Sequence, residues 1–321
     1  MTDETLLEVK DLKVHFSKKK FLKEAQTVHA VDGVSFKVAK GRTLGIVGES
    51  GSGKTTTALA VLRLVPITAG TISLEDQEIS SLEKEDLRKA RRNFQMIFQD
   101  PYSSLDPRKR VGEIVREPLE LMEIGTPEEQ QQMVRDLFVQ VGLRPELTNL
   151  FPHQFSGGQR QRVGLARALA TKPDLIVCDE PVSALDVAVQ AQILNLMRRL
   201  QEEMGLTYLF ISHDLGVVQH LCDDVAVMYL GQIVEQADRK SLFSDPKHPY
   251  TKALLASVPR VNANKNAPER VPLVGDPPSP INLPKGCRFS GRCPLATERC
   301  FQEPPTLKDH GNGHMAACHL L

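Results

Sequence analysis

The chain has 321 residues, of which 41% are hydrophobic and 25% charged, a balance typical of soluble globular proteins. Its 40 lysines and arginines match its 40 aspartates and glutamates, whereas a protein that binds nucleic acid by neutralising phosphates usually has a basic excess. No apolar run approaches the roughly 20 residues of a membrane-spanning helix, and the acidic start, MTDETLLEVK, is unlike a signal peptide. We therefore expect a cytosolic protein with no membrane span and no nucleic-acid partner.

The first predicted elements are strands. Apolar and polar residues alternate over 7–16 and again over 34–38, the pattern of half-buried antiparallel strands. A short apolar strand over 43–47 then leads through a glycine-rich turn into a helix over 55–65. This is a strand, loop and helix unit.

The middle of the chain predicts a helical insertion in an α/β core. Residues 83–172 are charge-rich and mainly helical in pattern, whereas 174–179 and 208–212 are short apolar strands of the parallel-sheet type. Composition changes near residue 245, where one short helix is followed by a Pro-rich stretch, 267–286, that cannot form regular structure. We place a domain boundary there and predict a small Pro- and Cys-rich domain over 246–321.

The glycine-rich turn carries the clearest chemical signal. Residues 48–55, GESGSGKT, match G-x-x-x-x-G-K-[ST] between a predicted strand and a predicted helix. The three glycines let backbone N–H groups face a polyphosphate, and the helix N-terminus adds its dipole. Lys54 would reach the terminal phosphates and the Thr55 hydroxyl would bind Mg²⁺. The segment predicts a phosphate-binding loop.

A phosphate loop needs a further carboxylate for its metal ion. The apolar run LIVCDE, 175–180, ends in two carboxylates. Asp179 would hold Mg²⁺ through water, and Glu180 would polarise the attacking water as general base.

Three more segments separate this chain from kinases and GTPases, which also have phosphate loops. FSGGQRQRVGLARALA, 155–170, is a Ser-Gly-Gly turn that opens a helix and offers a second anion site, which could complete a nucleotide site on a partner subunit. SALD, 183–186, follows Glu180, and His213 follows a buried strand, where it could contact a γ-phosphate.

Together these segments resemble the ATPase subunit of an ABC transporter over about residues 6–245. The matching motifs, in family order, are 48–55 (Walker A), Gln99 (Q-loop), FSGGQ from Phe155 (signature), LIVCD (Walker B), Glu180 (catalytic glutamate), SALD (D-loop) and His213 (switch histidine). Phe155 stands where leucine is commoner, a mild departure. The resemblance implies a RecA-like α/β core with an antiparallel β subdomain and a helical subdomain at about 93–170, in a domain of residues 1–245.

The resemblance also implies a head-to-tail pair of ATPases that encloses two ATP molecules. Each ATP would contact the Walker A of one subunit and the signature of the other. The residues implied in nucleotide binding are Phe16 (stacked on adenine), Gly48, Glu49, Ser50, Gly51, Ser52, Gly53, Lys54, Thr55, Thr56, Gln99, Ser156, Gly157, Gly158, Gln159, Asp179 and Asp186. Those implied in catalysis are Glu180, His213 and Gln99, and those implied at Mg²⁺ are Thr55, Gln99 and Asp179.

Four cysteines crowd the end of the chain. Cys287, Cys293, Cys300 and Cys318 are separated by five, six and seventeen residues, which fits neither a zinc ribbon nor the bacterial ferredoxin run. Spacing alone leaves zinc, an iron–sulfur cluster and unliganded thiols open. The possible substitute ligands are His310, His314 and His319.

The C-terminal sequence narrows the resemblance from ABC transporter ATPases in general to one group of them. HPYTKALLASVP from residue 248, GDPPSPINLPKGC and RCPLATERC resemble the C-terminal region of oligopeptide/dipeptide importer ATPases, nearest to the F-type subunit. Importers of this group can carry a [4Fe–4S] cluster, which the resemblance transfers to the four cysteines, with zinc as the alternative. A role of the tail as a redox or iron sensor is compatible with this interpretation.

The resemblance implies an ATP-hydrolysing subunit that powers peptide import from the cytoplasmic face of the inner membrane. It would dock on two permease subunits, which would contact residues 99–110, and pair with a second, homologous ATPase. A peptide-binding protein outside the membrane would take part indirectly. The alternative, a soluble ABC ATPase in translation or DNA repair, is disfavoured by the single cassette, the lack of a coiled-coil insertion and the lack of a basic excess.

Overall fold

The computed structural model describes residues 4–20, 23–257 and 275–321. Its strands are β1 (Thr5–Lys20), β2 (Lys23–Ala39), β3 (Thr43–Val47), β4 (Ala69–Leu74), β5 (Gln77–Glu78), β6 (Phe94–Ile97), β7 (Leu175–Asp179), β8 (Thr207–Ser212), β9 (Asp224–Tyr229), β10 (Gln232–Asp238), β11 (Lys308–Asp309) and β12 (Met315–Ala316). Its helices are α1 (Lys54–Val61), α2 (Lys84–Ala90), α3 (Val111–Leu121), α4 (Pro127–Gln140), α5 (Gly157–Leu169), α6 (Val187–Met204), α7 (Leu215–Leu221), α8 (Arg239–Ser244), α9 (Pro249–Ser257) and α10 (Glu298–Gln302). Among the described residues, no helix is both long and apolar enough to span a bilayer.

The chain divides into two compact units. Unit 1 consists of Met1–Leu7, Lys37–Thr43 and Ser73–Ile211. Unit 2 consists of Glu8–Phe36, Leu44–Ile72 and Ser212–Leu321. The phosphate loop and the cysteine-rich tail therefore fall in the same unit, although they are far apart in sequence.

Unit 1 contains a parallel sheet in which β6, β7 and β8 lie side by side, with Leu175 opposite both Phe94 and Thr207. Every residue of β7 and β8 is buried, as expected for strands covered on both faces. The predicted strands over 174–179 and 208–212 are confirmed. The sequence analysis missed β6, because its four residues lie in a charge-rich stretch and are too few to show a period of their own.

The helical insertion is confirmed in unit 1, and its sequence shows why its helices begin where they do. At the start of α4 the Glu129 N–H donates to the Thr126 hydroxyl (3.3 Å), while the Thr126 N–H donates to the Glu129 carboxylate (2.7 Å). Pro127 occupies the first helical turn, where its missing N–H costs nothing.

Unit 2 holds the strand that leads into the phosphate loop. In it β3 pairs in parallel with β9, Leu44 opposite Asp224, and β9 pairs antiparallel with β10. The predicted alternation is present, since Val34 and Phe36 are buried while Ser35 between them is exposed.

Helix α1 is shorter than predicted. The sequence analysis extends it to residue 65, whereas it ends at Val61, because Arg63 takes a left-handed backbone with φ of 52° that no helix continues. The short helix predicted after residue 245 is confirmed as α9. Residues 275–286 contain no helix or strand, as predicted, and the first part of the Pro-rich stretch, 267–274, lies outside the described residues.

A buried carboxylate joins the tail to the rest of unit 2. Glu235 on β10 is fully buried and accepts hydrogen bonds from the backbone N–H groups of Lys247 (2.7 Å) and His248 (2.9 Å). The Nε2 atom of His314, next to β12, lies 2.7 Å from Glu235 Oε1. His314, a possible metal ligand in the sequence analysis, is therefore held by this carboxylate.

We expect Glu235→Ala to lower the free energy of unfolding by about 3 kcal/mol, because it leaves the part-buried N–H of Lys247, the buried N–H of His248 and the buried imidazole of His314 without their acceptor. Urea unfolding followed by circular dichroism measures this. Glu303→Ala is the control, since that exposed carboxylate only pairs with Arg299 one helical turn away. Equal urea midpoints for the two variants would contradict the assignment.

Candidate nucleotide-binding and catalytic site

The phosphate loop lies between β3 and α1, where neighbouring backbone leaves room only for glycine. A Cβ atom on Gly48 would lie 2.2 Å from the Met228 carbonyl oxygen, and one on Gly53 would lie 2.2 Å from the Ala30 carbonyl oxygen. Gly53 also takes φ of 105°, which ordinary side chains avoid, at the residue that precedes α1. Glycine is therefore required at both positions because neighbouring backbone lies so close, and at Gly53 also because of its positive φ.

Lys54 and Ser52 give the loop its polar lining. The Lys54 ammonium donates to the carbonyl oxygens of Gly48 and Glu49, both at 2.8 Å, so this buried side chain folds back over the loop. The Ser52 hydroxyl is buried and has no hydrogen-bond partner among the described residues. A buried, unpaired donor next to a lysine and a helix N-terminus suits the oxygen atoms of a bound phosphate. Thr55, predicted at Mg²⁺, is exposed at the start of α1.

Two other predicted residues of unit 2 are accessible. Phe16 on β1 is 40% exposed, an unusual position for a large apolar ring and one that allows stacking on a base. His213 is exposed between β8 and α7, where the Asp214 carboxylate accepts the Gly216 N–H (2.8 Å) and caps the helix. Their contacts with a nucleotide stay predictions.

Unit 1 brings the predicted catalytic residues Gln99 and Glu180 together. Asp179 is buried at the end of β7, and Glu180 follows it with φ of 47°. The Glu180 N–H donates to the Ile211 carbonyl (2.9 Å), and its carboxylate accepts a hydrogen bond from Gln99 Nε2 (2.8 Å). A non-glycine residue in the left-handed region at the end of a parallel strand is the kind of strain found at functional sites.

The Ser-Gly-Gly turn caps α5 and packs against the segment after Glu180. The Gln159 N–H donates to the Ser156 hydroxyl (3.3 Å), and the Ser156 N–H donates to the Gln159 side chain (3.0 Å). A Cβ atom on Gly158 would lie 2.5 Å from Val189, whose own N–H is capped by Asp186 (2.9 Å). The Ser-Gly-Gly turn and the segment after Glu180 therefore pack against each other in unit 1, next to the N-terminus of α5.

The four tail cysteines line one small cleft of unit 2, together with His248 and Phe289. Burial raises the pKa of the Cys287, Cys293 and Cys318 thiols, and the neighbouring cysteines raise it further. A bound cation would reverse this effect by stabilising the thiolates. No disulfide joins any of the six cysteines, all of which lie in the described residues.

The sequence analysis missed a cluster of unit 2 formed by His15, His29 and Asp32. His15 Nε2 lies 3.0 Å from Asp32 Oδ1 and 3.3 Å from His29 Nδ1. Burial alone would raise the pKa of Asp32, but the hydrogen bonds and charges of Arg288 and His15 outweigh it and lower that pKa. Because Arg288 already neutralises the carboxylate, the cluster is an ion-pair network that joins β1 and β2 to the tail.

Comparison with known proteins assigns the family. The family model described as ABC transporter matches residues 31–183, and the model described as oligopeptide/dipeptide transporter, C-terminal region, matches residues 234–300. The oligopeptide transport ATP-binding protein AppF of Bacillus subtilis is 50% identical, over 99% of this chain and 98% of its own length. A putative peptide import ATP-binding protein of Brucella ovis is 48% identical over the same shares.

Solved structures agree with this assignment. The ATP-binding cassette MJ0796, in a dimeric post-hydrolysis state bound to ADP and Pi, is 28% identical with a TM-score of 0.65, over 73% of this chain and 99% of that one. CbiO1 of Clostridium perfringens, part of the ABC transporter complex cbiONQ, is 26% identical with a TM-score of 0.65, over 75% and 92%. The predicted α/β fold of an ABC-type ATPase is confirmed, and the soluble-ATPase alternative gains no support. The chain belongs to the ABC transporter ATPases, within the family of peptide import ATP-binding proteins.

Proposed function

We propose that this chain hydrolyses ATP to power peptide import through two membrane permeases, at the cytoplasmic face of the membrane and paired with a second ATPase. The proposal is supported by sequence similarity to peptide import ATP-binding proteins. This similarity extends over both the ATPase domain and the C-terminal region, at 50% identity over nearly the whole chain. Similarity limited to the ATPase domain would not indicate which class of transporter the chain belongs to.

The first part of the proposed mechanism is phosphate binding. The backbone of residues 48–53, the Ser52 hydroxyl and the N-terminus of α1 would hold the β- and γ-phosphates of ATP. Lys54 would leave the carbonyl oxygens of the loop and turn to the phosphates, a stronger partner because they are charged. Thr55 and Asp179 would hold Mg²⁺, directly and through water, with Gln99.

The second part is hydrolysis. Glu180 would orient and polarise the attacking water, and the 2.8 Å hydrogen bond from Gln99 supports this role by fixing its carboxylate. His213 would contact the γ-phosphate. The turn at Ser156, Gly157, Gly158 and Gln159 would meet the ATP bound by the partner subunit, so that ATP favours the closed pair and hydrolysis releases it.

We expect Glu180→Gln to lower the ATPase rate of the assembled complex at least about 100-fold and to leave ATP binding within a few-fold of the unchanged protein, since the amide keeps the shape but cannot act as a base. Phosphate release and nucleotide affinity measure the two effects. Glu202→Gln, which alters an exposed carboxylate on α6, is the control and should hydrolyse ATP normally. Normal turnover in Glu180→Gln would remove Glu180 from the mechanism.

The proposed partners follow from the same assignment. Residues 99–110 would receive a permease helix, and a homologous ATPase would complete each nucleotide site. The external peptide-binding protein would meet the permeases and not this chain.

We expect affinity purification from detergent-solubilised membranes to recover two multi-span permeases and a second ATPase with this chain. Glu180→Gln with ATP should increase the yield of the second ATPase, because the closed pair cannot reopen by hydrolysis. Recovery of only ribosomal, DNA-bound or other soluble partners, even with that variant, would contradict the transport function.

We also propose that the domain limits are 1–245 and 246–321, and that the four cysteines of the second domain hold a [4Fe–4S] cluster. Four thiols in one cleft are a suitable donor set. Among the described residues, His15, His29 and Asp32 are the one set of three potential metal ligands whose ligand atoms all lie within 4.8 Å of one another. No three of the cysteine sulfurs in this part of the chain are therefore that close together. Sulfurs on a single zinc ion lie about 3.8 Å apart, which favours a larger group spread over several metal atoms. When bound, such a cluster would cross-link the tail and supply a one-electron redox centre.

We expect the protein purified without oxygen to be brown and to contain about four iron atoms and four sulfides per chain. Cys287→Ser should lose most of both, because the cluster requires four thiolates, whereas Cys222→Ser, which changes a buried cysteine away from the cleft, should keep them. A colourless protein with one zinc ion per chain would overturn the cluster and establish the zinc alternative.

A further inference from the structure

The cysteine-rich tail makes a direct ion pair with the phosphate loop. Arg292, the residue before Cys293, binds both carboxylate oxygens of Glu49, at 2.6 Å to Oε2 and 3.0 Å to Oε1. The Arg292 side chain is 6% exposed and that of Glu49 is 28% exposed. Glu49 is the second residue of the loop, so a segment almost 250 residues away in sequence touches the nucleotide site.

The backbone of Glu49 is fixed at the same place. Its N–H donates to the hydroxyl of Tyr250 (2.9 Å), a fully buried residue of α9, and its carbonyl accepts from Lys54. The Tyr250 ring packs against Tyr229 and Phe289, with centroids 4.6 and 5.3 Å away. The C-terminal region thus binds both the amide and the carboxylate of one loop residue.

The opposite charges of Glu49 and Arg292 indicate what their contact does for phosphate binding. A carboxylate in a phosphate loop repels the triphosphate that the loop must bind, and this repulsion is strong where little water screens it. Arg292 cancels that charge with a bidentate pair, and its guanidinium is charged throughout the physiological pH range. Without Arg292 the loop would keep its shape but would carry an uncompensated negative charge.

We propose that Arg292 is a positioning residue for the phosphate loop: it neutralises and orients Glu49, and through it the C-terminal segment sets the affinity of the chain for ATP. The proposal rests on the membership of the chain in the ABC ATPase family. It does not depend on which metal, if any, the cysteines bind, or on which cargo is transported.

The test compares single and double variants of the full-length chain. We expect Arg292→Gln to weaken ATP binding on the order of tenfold, because the Glu49 carboxylate is left unpaired. Arg292→Lys should weaken it less, since lysine keeps the charge but not the bidentate geometry. Adding Glu49→Gln to Arg292→Gln should restore affinity to within about threefold of the unchanged protein, because the double variant has no carboxylate to repel phosphate.

The readouts separate positioning from a merely structural role. ATP affinity is measured by displacement of a fluorescent ADP analogue, and steady-state hydrolysis should show a raised KM with kcat within about threefold, the pattern of lost uniform binding. The affinity defect should shrink at high salt, which screens charge repulsion. Arg299→Gln is the matched control, because it removes an exposed arginine of the same tail that pairs with nearby Glu303; its ATP affinity should be unchanged.

Two results would overturn the proposal. One is an unchanged ATP affinity in Arg292→Gln. The other is a double variant that binds ATP no more tightly than Arg292→Gln, which would mean that the arginine acts by holding the tail together and not through the Glu49 charge. If Arg292→Gln is not soluble, the same comparison is made with Arg292→Lys, alone and combined with Glu49→Gln, and equal affinities overturn the proposal there.

Discussion

The phosphate loop depends on a close approach between backbone segments. The carbonyl oxygens of Met228 and Ala30 lie only 2.2 Å from where Cβ atoms of Gly48 and Gly53 would be, so the loop backbone packs directly against the backbone of β9 and β2. The Ser52 hydroxyl of this loop is buried and, among the described residues, has no hydrogen-bond partner. An anion site built from backbone groups needs this rigidity, because each donor contributes only if it is already oriented.

The predicted catalytic residue Glu180 is also fixed by neighbouring backbone, in a strained conformation. Glu180 follows a fully buried strand and takes a left-handed backbone that non-glycine residues seldom adopt. Its N–H is tied to Ile211 and its carboxylate to Gln99, so the surrounding sheet stabilises the unfavourable conformation. The side chain is thereby fixed at the end of the sheet, in an orientation that a relaxed strand would not give it.

The tail is a structural part of the unit that holds the phosphate loop. Glu235 binds two backbone N–H groups and His314, Arg288 joins the Asp32 network, and Arg292 reaches Glu49. Arg288 and Arg292 lie between Cys287 and Cys293, so a group bound by these cysteines would also constrain the arginine that contacts the loop. In the mechanism that we propose, this direct contact would link the state of the tail to nucleotide binding.

The sequence by itself determined the phosphate loop, the signature turn and the strand that ends at Asp179, directly before Glu180, because each is a local pattern whose spacing follows from its chemistry. It also determined the helical insertion and the alternating N-terminal strands. Only the tertiary structure showed β6, the early end of α1 and the contacts of Arg292, His15 and His314. The contacts depend on residues far apart in the chain, and neither periodicity nor a motif records which distant groups burial will bring together.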